Sequence, residues 1–448
     1  MGLEELTPDI SAEQLLTLAL RSGADAAEVF QSRSLARPVF FEANRLKQLE
    51  YTQSEGTALR LWMNGSPGLV VAYGAVDPTI LVERAIALSQ LNPPEIIELT
   101  PANQDGSPAS YPAVGTTVDV EELVLWGNAA IDLVRQAYPD VLCTAEWECE
   151  TEITYLINSY GLTCSHTDTT LSSYLNVDWV RGDDFLNVSD GQIQRDSLNP
   201  SALAEQIIQR LDWARKNISP PIGRYPVLFT SKAADMLWGT VQSALNGKQV
   251  LEGASPWSDR LGEQVTATAL TISQQPNSGP FSCPFDDEGT PTRQLVFIQD
   301  GVLQLFYTDR TVGRQLGSGT TGNGFRPSLS SYPTPGLFNF VVQPSSKVKS
   351  TSPMTLTDLI STLDDGVVVD QMLGGSAGIS GDFSVNVDLG YRVRGGQIIG
   401  RVKDTMVSGN VYTALRNLVA LGTDADWNGS CYTPSLIVDG LSVTGRES

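Results

Sequence analysis

The stretch Ser231–Leu251 reads SKAADMLWGTVQSALNGKQVL and is the segment around which the chain is organised. Apolar residues recur in it at helical spacing and form one face of a predicted helix: Ala234, Leu237, Val241 and Ala244. Thr230 or Ser231 can cap its start, and Asn246-Gly247 is expected to end it in a left-handed turn. Such a helix is a suitable place for catalytic ligands. Yet no His, Glu or Cys occurs from Ala233 to Gly247.

The charge of the chain limits its partners. Its 448 residues are enough for two or three domains, and 29 basic against 51 acidic residues give a net charge of −22. A surface this acidic repels phosphates, so we expect no direct contact with nucleic acid or with an anionic membrane. The same charge suits solubility or the attraction of basic peptides.

The sequence predicts a cytoplasmic protein. Its first residues, MGLEELTPDISAEQ, lack the basic and apolar segments of a signal peptide. No apolar run approaches the roughly 18 residues that span a bilayer. The cysteines are few, odd in number and scattered, which predicts a reducing compartment without a disulfide framework. They are Cys143, Cys149, Cys164, Cys283 and Cys431.

The order of helix and strand patterns divides the chain into four segments. We predict an N-terminal α+β unit over residues 1–92, a linker over 93–118, a middle α+β unit over 119–220 and a C-terminal β-rich domain over 221–448. The predicted fold class is α+β, with N-terminal α+β units followed by a C-terminal domain dominated by a large, mostly antiparallel β-sheet. A helix over Ser408–Ala420 is predicted to close that domain.

Two motifs of the C-terminal half favour structural interpretations. Gly317–Gly322 matches GxGxxG, but it lacks the preceding strand and following helix of a dinucleotide site, so a closely packed loop is favoured. Asp286-Asp-Glu288 offers three carboxylates for a hard cation, but the alternating ligand spacing of a Ca²⁺ loop is missing. A tight turn is the favoured interpretation there.

No complete active site emerges from the residues alone. His166 is the only histidine, and Cys164 and Asp168 share its face if this segment is a strand. A Cys-His-Asp arrangement stays open, although alternate strand residues lie about 6–7 Å apart, too far for direct proton transfer. A half-exposed strand residue is the favoured interpretation. Zinc catalysis needs three protein ligands, which one histidine and dispersed cysteines do not readily supply.

A series of short motifs resembles the TldD/PmbA family across nearly the whole chain. In the C-terminal half they are Asp286-Asp-Glu-Gly-Thr-Pro-Thr-Arg293, Ile298-Gln-Asp-Gly-Val-Leu303, Thr321-Gly-Asn-Gly-Phe-Arg326, and Gly381-Asp-Phe383 followed by Gly390 and Gly395-Gly396. Upstream they are Gly23-Ala-Asp-Ala-Ala-Glu28, Gly56-Thr-Ala-Leu-Arg60 and Asn158-Ser-Tyr-Gly161. The closing Tyr432-Thr-Pro-Ser-Leu436 looks like the PmbA (TldE) branch.

The resemblance implies a division of labour between two subunits. In that family TldD is the zinc metallopeptidase, with a His-Glu-x-x-x-His helix and a C-terminal cysteine ligand, and it pairs with TldE, which lacks the ligands. Aligned to that helix, Trp238 and Ser243 stand near the two histidines and Gly239 near the general-base glutamate. None of these residue types can perform those roles. Cys431 is not equated with the cysteine ligand.

The resemblance therefore predicts a PmbA/TldE-like subunit of a zinc metallopeptidase complex that acts on unfolded peptides. We expect no catalytic residue and no metal in this chain, zinc in a TldD-like partner, and a heterodimer with that partner or a homodimer alone. The candidate loop facing the peptide chamber contains Thr321, Gly322, Asn323, Gly324 and Arg326. The alternatives are a stand-alone peptidase with an unrecognised site, and a non-enzymatic regulatory or binding protein of the gyrase-modulator type.

Overall fold

The computed structural model describes residues 10–102, 109–347, 354–375 and 377–445. Within these ranges the helices pack against large sheets whose strands are mostly antiparallel. The predicted α+β class, with a C-terminal half dominated by mostly antiparallel sheet, is confirmed. The boundaries predicted at residues 92, 118 and 220 stay predictions, and residues 103–108 of the predicted linker lie outside the described residues.

The helices are short to medium in length. They are α1 (Ala12–Arg21), α2 (Pro78–Ser89), α3 (Val120–Ala137), α4 (Pro200–Trp213), α5 (Asp235–Leu245), α6 (Gly247–Leu251), α7 (Arg310–Leu316), α8 (Leu356–Thr362) and α9 (Val411–Arg416). Side chains cap several starts. Ser11 accepts a hydrogen bond from the backbone N–H of Gln14 at the start of α1. Each helix among the described residues is too short or too polar to cross a bilayer.

The strands of both predicted N-terminal units, apart from the short strand Asn217–Ile218, lie in one nine-stranded sheet together with a short strand of the predicted linker. They are β1 (Ala26–Ala36), β2 (Val39–Glu42), β3 (Arg45–Leu49), β4 (Thr52–Met63), β5 (Ser66–Tyr73), β6 (Ala109–Ser110), β7 (Leu142–Asn158), β8 (Thr163–Arg181) and β9 (Asp184–Gln194). β7 joins the strands of the first unit to those of the second, because it pairs with β1 and β2 along one edge and with β8 along the other.

The C-terminal half distributes its strands over further sheets. They are β10 (Asn217–Ile218), β11 (Gly223–Phe229), β12 (Leu270–Gln274), β13 (Leu295–Gln299), β14 (Val302–Leu303), β15 (Gly324–Phe325), β16 (Thr334–Pro335), β17 (Phe340–Pro344), β18 (Asp365–Leu373), β19 (Asp382–Arg394), β20 (Gln397–Val402), β21 (Thr405–Asn410), β22 (Leu418–Leu421), β23 (Asp426–Asn428), β24 (Cys431–Thr433) and β25 (Leu436–Gly445).

Two larger sheets organise these strands. The eight-stranded sheet follows the order β10-β20-β19-β18-β11-β25-β21, with β22 beside β25. Because β21 pairs with both β19 and β25, a closed circuit is formed by β19, β18, β11, β25 and β21. A six-stranded sheet follows the order β14-β13-β12-β17-β24-β23, and β15 pairs with β16 alone.

The stretch Ser231–Leu251 contains two helices instead of the single predicted helix. Asn246 separates α5 from α6 with φ −71° and ψ 117°, so the predicted left-handed turn at Asn246-Gly247 is wrong. The Asn246 side chain instead caps α6 and accepts a hydrogen bond from the N–H of Lys248 at 2.8 Å. Asn246 also forms a bridge to Tyr307, which holds the chain extended at this point.

The helix predicted over Ser408–Ala420 is largely wrong. Only Val411–Arg416 is helical, and the strands β21 and β22 flank it. The Asn410 side chain starts the helix by accepting a hydrogen bond from the N–H of Thr413. The flanking residues pair with β19 and β25, and these tertiary hydrogen bonds override the local helical pattern.

A buried arginine connects the two halves of the molecule. Arg210 on α4 contacts Asp190 of β9 at 2.5 Å and Asp370 of β18 at 2.7 Å. Both carboxylates are buried, and Lys232 reaches Asp190 at 3.2 Å. One core cluster likewise combines residues of α3, α4 and β7 with residues of the eight-stranded sheet, among them Tyr391. The halves therefore share a core as well as an ion-pair network.

Removing this arginine tests the connection. We expect Arg210→Ala to lower the free energy of unfolding by roughly 3–5 kcal/mol, because two buried carboxylates lose their cation. Urea unfolding followed by circular dichroism measures the change. Arg84→Ala, at an exposed position of α2, is the matched control and should change little. A loss for Arg210→Ala no larger than that of the control would contradict this account.

Candidate functional site

A cleft with a volume of about 590 Å³ lies between one face of the nine-stranded sheet and loops of the C-terminal half. We call it the acidic cleft and define it by its two sides. Its floor consists mainly of β7 and β8 side chains, with Phe30 and Ser32 of β1 and Ile193 of β9. Its opposite wall comes from segments 281–287, 325–329 and 337–338. Concave sites between structural units are the usual places for ligands.

The floor carries glutamates at alternate positions. Glu148, Glu150 and Glu152 of β7 line the cleft. Residues between them are buried on the opposite face of the sheet, at Trp147, Cys149 and Thr151. This alternation follows from the two-residue period of a strand. The register of β8 places polar residues opposite the glutamates, at Ser172, Thr170 and Asp168.

The charge of this floor is poorly compensated. Among the described residues, no ion pair involves Glu148, Glu150 or Glu152; a Ser32 hydroxyl donates to Glu152 Oε1 at 3.0 Å. Enclosure by the protein raises the pKa of Glu148 and of Glu152, and the carboxylate of Glu150 raises both further. Asp168, in contrast, has a cation of its own, because the Arg195 guanidinium lies 2.5 Å from its carboxylate. The glutamates thus form a row of negative charge without a local cation.

His166 lines the same cleft and is 8% exposed. Neither of its ring nitrogens has a hydrogen bond of good geometry with the described residues, although a backbone group of Ser282 lies near the ring. Burial lowers the pKa of His166, while the Asp168 carboxylate acts in the opposite direction. The ring is therefore neutral near pH 7 and presents one hydrogen-bond donor and one acceptor.

The structure does not assemble Cys164, His166 and Asp168 into a catalytic group. Cys164 packs in an apolar cluster with Phe30, and burial raises its pKa to about 11. Such a thiol stays protonated and is a poor nucleophile at neutral pH. Asp168 accepts hydrogen bonds from Arg195 and from the Ser282 N–H, at 2.5 and 2.7 Å, and does not orient the imidazole.

The acidic motif Asp286–Glu288 forms the tight turn that its sequence favours. Phe285 and Pro291 bridge its ends, and Gly289 adopts φ 73°. Burial raises the pKa of the three carboxyls, to about 7 for Asp286, about 6 for Asp287 and about 8 for Glu288. Backbone N–H donors oppose this shift.

Those donors come from neighbouring segments of the chain. Asp286 accepts a hydrogen bond from the N–H of Gly324 at 2.8 Å, and Asp287 from the N–H of Arg326 at 2.7 Å. Glu288 accepts from the N–H of Arg310 at 3.0 Å, at the start of α7. The turn therefore holds in place the loop that was predicted to face a peptide chamber.

Most of that predicted loop is internal. Asn323 is fully buried and donates to Gln274 at 2.6 Å, and Thr321 is 9% exposed. Gly322 has φ 78° and Gly324 packs against the Glu288 side chain, so neither leaves room for a Cβ. Of the five predicted loop residues, only Arg326 lines the acidic cleft. The role of the loop in peptide contact stays a prediction.

Arg326 connects the loop to the nine-stranded sheet. Its guanidinium lies 2.9 Å from Glu28 of β1, which also pairs with Arg60 at 3.1 Å. The same guanidinium lies 5.2 Å from the ring centre of Phe30. The Arg326 guanidinium is thus paired with Glu28 and forms no ion pair with the glutamates of the floor.

The three residues aligned with the zinc motif do not share one environment. Trp238 is fully buried, and its indole N–H donates to Thr433 Oγ1 at 2.6 Å. Gly239 and Ser243 lie on the exposed side of α5, where the Ser243 hydroxyl donates to the Gly239 carbonyl at 3.0 Å. Gly239 and Ser243 therefore lie next to each other on the exposed face of α5, whereas the Trp238 side chain lies in the core.

Comparisons with known proteins now identify the family. Residues 222–445 match the family described as the PmbA/TldA metallopeptidase C-terminal domain. The chain belongs to the PmbA/TldD family. It is 24% identical to metalloprotease PmbA of Escherichia coli O157:H7 and 23% identical to a PmbA homolog of Haemophilus influenzae, each over 96% of this chain and 94% of the relative.

Solved structures share the fold. TldE from Thermococcus kodakarensis superposes with a TM-score of 0.87 at 21% identity, covering 97% of this chain and 99% of that chain. A putative modulator of a DNA gyrase from Thermotoga maritima gives a TM-score of 0.83 at 22% identity, covering 96% of this chain and 99% of the other. At these identities the likeness concerns the fold alone.

The residues at α5 of this family member do not fit a catalytic zinc ion. Such an ion takes three protein ligands and keeps one open position. Asp235 interacts with the Cys431 thiol, but no set of three or more His, Cys, Asp or Glu within the described ranges is placed to hold a metal. Trp238 directs an N–H donor at Thr433, and an N–H group cannot ligate a cation.

The glutamate row of the cleft was not predicted from the sequence. The signal was present in Glu146-Trp-Glu-Cys-Glu-Thr-Glu152, where a carboxylate occupies every second position. In a strand this pattern places all four on one face, where their like charges repel one another. The loops that face the row come from residues more than a hundred positions later, which no local pattern could predict.

The buried turn predicts how stability depends on pH. The folded protein keeps protons on the carboxyls of Asp286, Asp287 and Glu288 where the unfolded chain has lost them. The free energy of unfolding should therefore fall as pH rises from about 5 to about 8. Glu288→Gln keeps an acceptor for the Arg310 N–H without a charge, so its stability should fall less across this window.

Urea unfolding at both ends of the window measures this difference. Glu83→Gln, an exposed position on α2, is the matched control because it removes one negative charge far from the turn. The control should follow the wild-type dependence. If Glu288→Gln also follows it, Glu288 does not take up a proton on folding.

Proposed function

We propose that this chain is the non-catalytic, PmbA/TldE-like subunit of a TldD/TldE-type zinc metallopeptidase complex that acts on unfolded peptides. A TldD-like partner then supplies the zinc ion and the general base. This chain completes the heterodimer and encloses the chamber. It also offers main-chain edges to an extended peptide, which need no special side chains for recognition.

The state of α5 carries this proposal. Trp238, near one expected zinc ligand, is buried and hydrogen-bonded to Thr433. Gly239 and Ser243 occupy the other two places and provide neither a base nor a ligand. At the aligned positions α5 thus has one buried core residue and two surface residues without catalytic side chains. This supports a structural role for the chain in an assembly whose chemistry lies in another subunit.

The cysteines, the net charge and the relatives of the chain agree with a cytoplasmic peptidase complex. All five cysteines are free, which suits the reducing cytoplasm. The net charge of −22 disfavours nucleic acid and leaves protein or peptide partners. The relatives are named metalloproteases, and one structure of the same fold is a TldE, so a paired peptidase is a consistent context.

The test compares the chain alone with the chain co-expressed with a TldD-type protein that carries His-Glu-x-x-x-His. Elemental analysis measures zinc, light scattering measures assembly, and fluorescently labelled unfolded casein reports cleavage. We expect a heterodimer with zinc and chelator-sensitive cleavage, and neither property in the isolated chain. A partner with Glu→Gln in its motif should assemble normally and cleave nothing.

Two results would overturn the proposal. Stoichiometric zinc or chelator-sensitive cleavage in the isolated chain would make it a peptidase in its own right. Failure to associate with the TldD-type protein would favour a separate regulatory or binding role. The oligomeric state of the chain alone, monomer or homodimer, comes from the same light-scattering measurement.

A further inference from the structure

We propose that the acidic cleft binds a lysine- or arginine-rich peptide segment in extended conformation, with its basic side chains opposite Glu148, Glu150 and Glu152. The inference names a substrate class for the proposed function and rests on that function for its biological setting. The binding itself belongs to this chain and requires no partner.

The spacing of the glutamates fits an extended peptide. Alternate residues of a strand project from one face at intervals of about 6.8 Å, and a bound peptide strand has the same repeat. Basic side chains at every second peptide position can therefore each meet one glutamate. No cluster of His, Cys, Asp or Glu side chains among the described residues is placed to hold a metal ion.

The row carries negative charge with no paired cation among the described residues, and Glu150 and Glu152 are exposed to solvent. Glu146 precedes the other three on the same face of β7, so four carboxylates follow one another at alternate positions. Two arginines at or beside the cleft are engaged elsewhere, Arg195 with Asp168 and Arg326 with Glu28. A ligand with ammonium or guanidinium groups relieves the repulsion within the row.

His166 gives an independent indication of a ligand. It is 8% exposed, it lines the cleft, and neither ring nitrogen has a hydrogen bond of good geometry among the described residues, although a backbone group of Ser282 lies near the ring. A buried polar side chain normally satisfies its hydrogen bonds, so an unsatisfied one calls for an explanation. A neutral imidazole offers one donor and one acceptor, which is the complement of a peptide group.

The wall opposite the glutamates suits the stems of basic side chains. Phe338 packs edge-on against Phe281 at 5.9 Å and stacks with Phe325 at 5.8 Å between ring centres. All three line the cleft. Lysine and arginine bury their methylene stems against such rings, and their charged heads gain from the ring faces. A floor of carboxylates below a wall of aromatics therefore recognises both parts of a basic side chain.

Fluorescence anisotropy on the isolated chain tests this proposal directly. The probe is a fluorescein-labelled peptide in which lysine alternates with serine, and comparison peptides carry adjacent lysines in the same composition or glutamate in place of lysine. We expect the alternating peptide to bind most tightly, the adjacent-lysine peptide less tightly and the glutamate peptide not at all. Added salt should weaken binding.

Variants locate the site. The double variant Glu148→Gln, Glu150→Gln should bind the alternating peptide about tenfold more weakly, as expected for two partly enclosed ion pairs. Glu83→Gln, Glu205→Gln removes the same charge from exposed helix positions and is the matched control. Loss of like-charge repulsion should leave the melting temperature of the cleft variant equal to or above that of the wild type.

The role of His166 has its own comparison. Spermine carries ammonium groups without peptide groups, so His166→Phe should weaken binding of the alternating peptide and leave spermine binding unchanged. Equal losses in the cleft and control variants, or equal affinities of the two lysine peptides for the wild type, would overturn the proposal. The peptide comparison decides the matter even if a variant fails to fold. Because no partner is present, these outcomes are independent of heterodimer formation.

Discussion

The three buried carboxylates of the Asp286–Glu288 turn are the constraint on which the arrangement of the C-terminal loops depends. Burying them is costly, and backbone N–H groups of Gly324, Arg326 and Arg310 offset part of that cost. The same hydrogen bonds fix the loop that ends at Arg326, whose guanidinium then reaches Glu28 in the nine-stranded sheet. The turn therefore positions the wall of the acidic cleft against its floor.

The two functional proposals rest on different parts of the molecule. At α5 the places expected for zinc ligands and a base hold a buried Trp238 and two residues without suitable chemistry. Under the first proposal the chemistry therefore belongs to a partner. The acidic cleft lies at another place, between sheet and loops, and carries charge and hydrogen-bonding groups that the described protein does not satisfy. A subunit can thus lose catalysis and keep a site for peptide recognition.

Local patterns predicted much of the fold and little of the site. Strand alternation and the tight turn at Asp286–Glu288 follow from residue spacing, which tertiary contacts here reinforce. The helix predicted over Ser408–Ala420 failed because sheet pairing overrode the local pattern. Burial of Trp238 and the opposition of Glu150 to Phe338 depend on packing between distant segments. The alternating glutamates were visible in sequence, but the cleft above them was not.

The most direct measurement of where a peptide lies is photo-cross-linking. A lysine-alternating peptide that carries benzoylphenylalanine at its centre is irradiated with the isolated chain, and mass spectrometry locates the attachment. Since the peptide is proposed to lie on β7 beneath the aromatic wall, attachment is predicted within segments 281–287, 325–329 or 337–338. Attachment confined to the exposed face of α5, or spread over the surface without preference, would contradict the account.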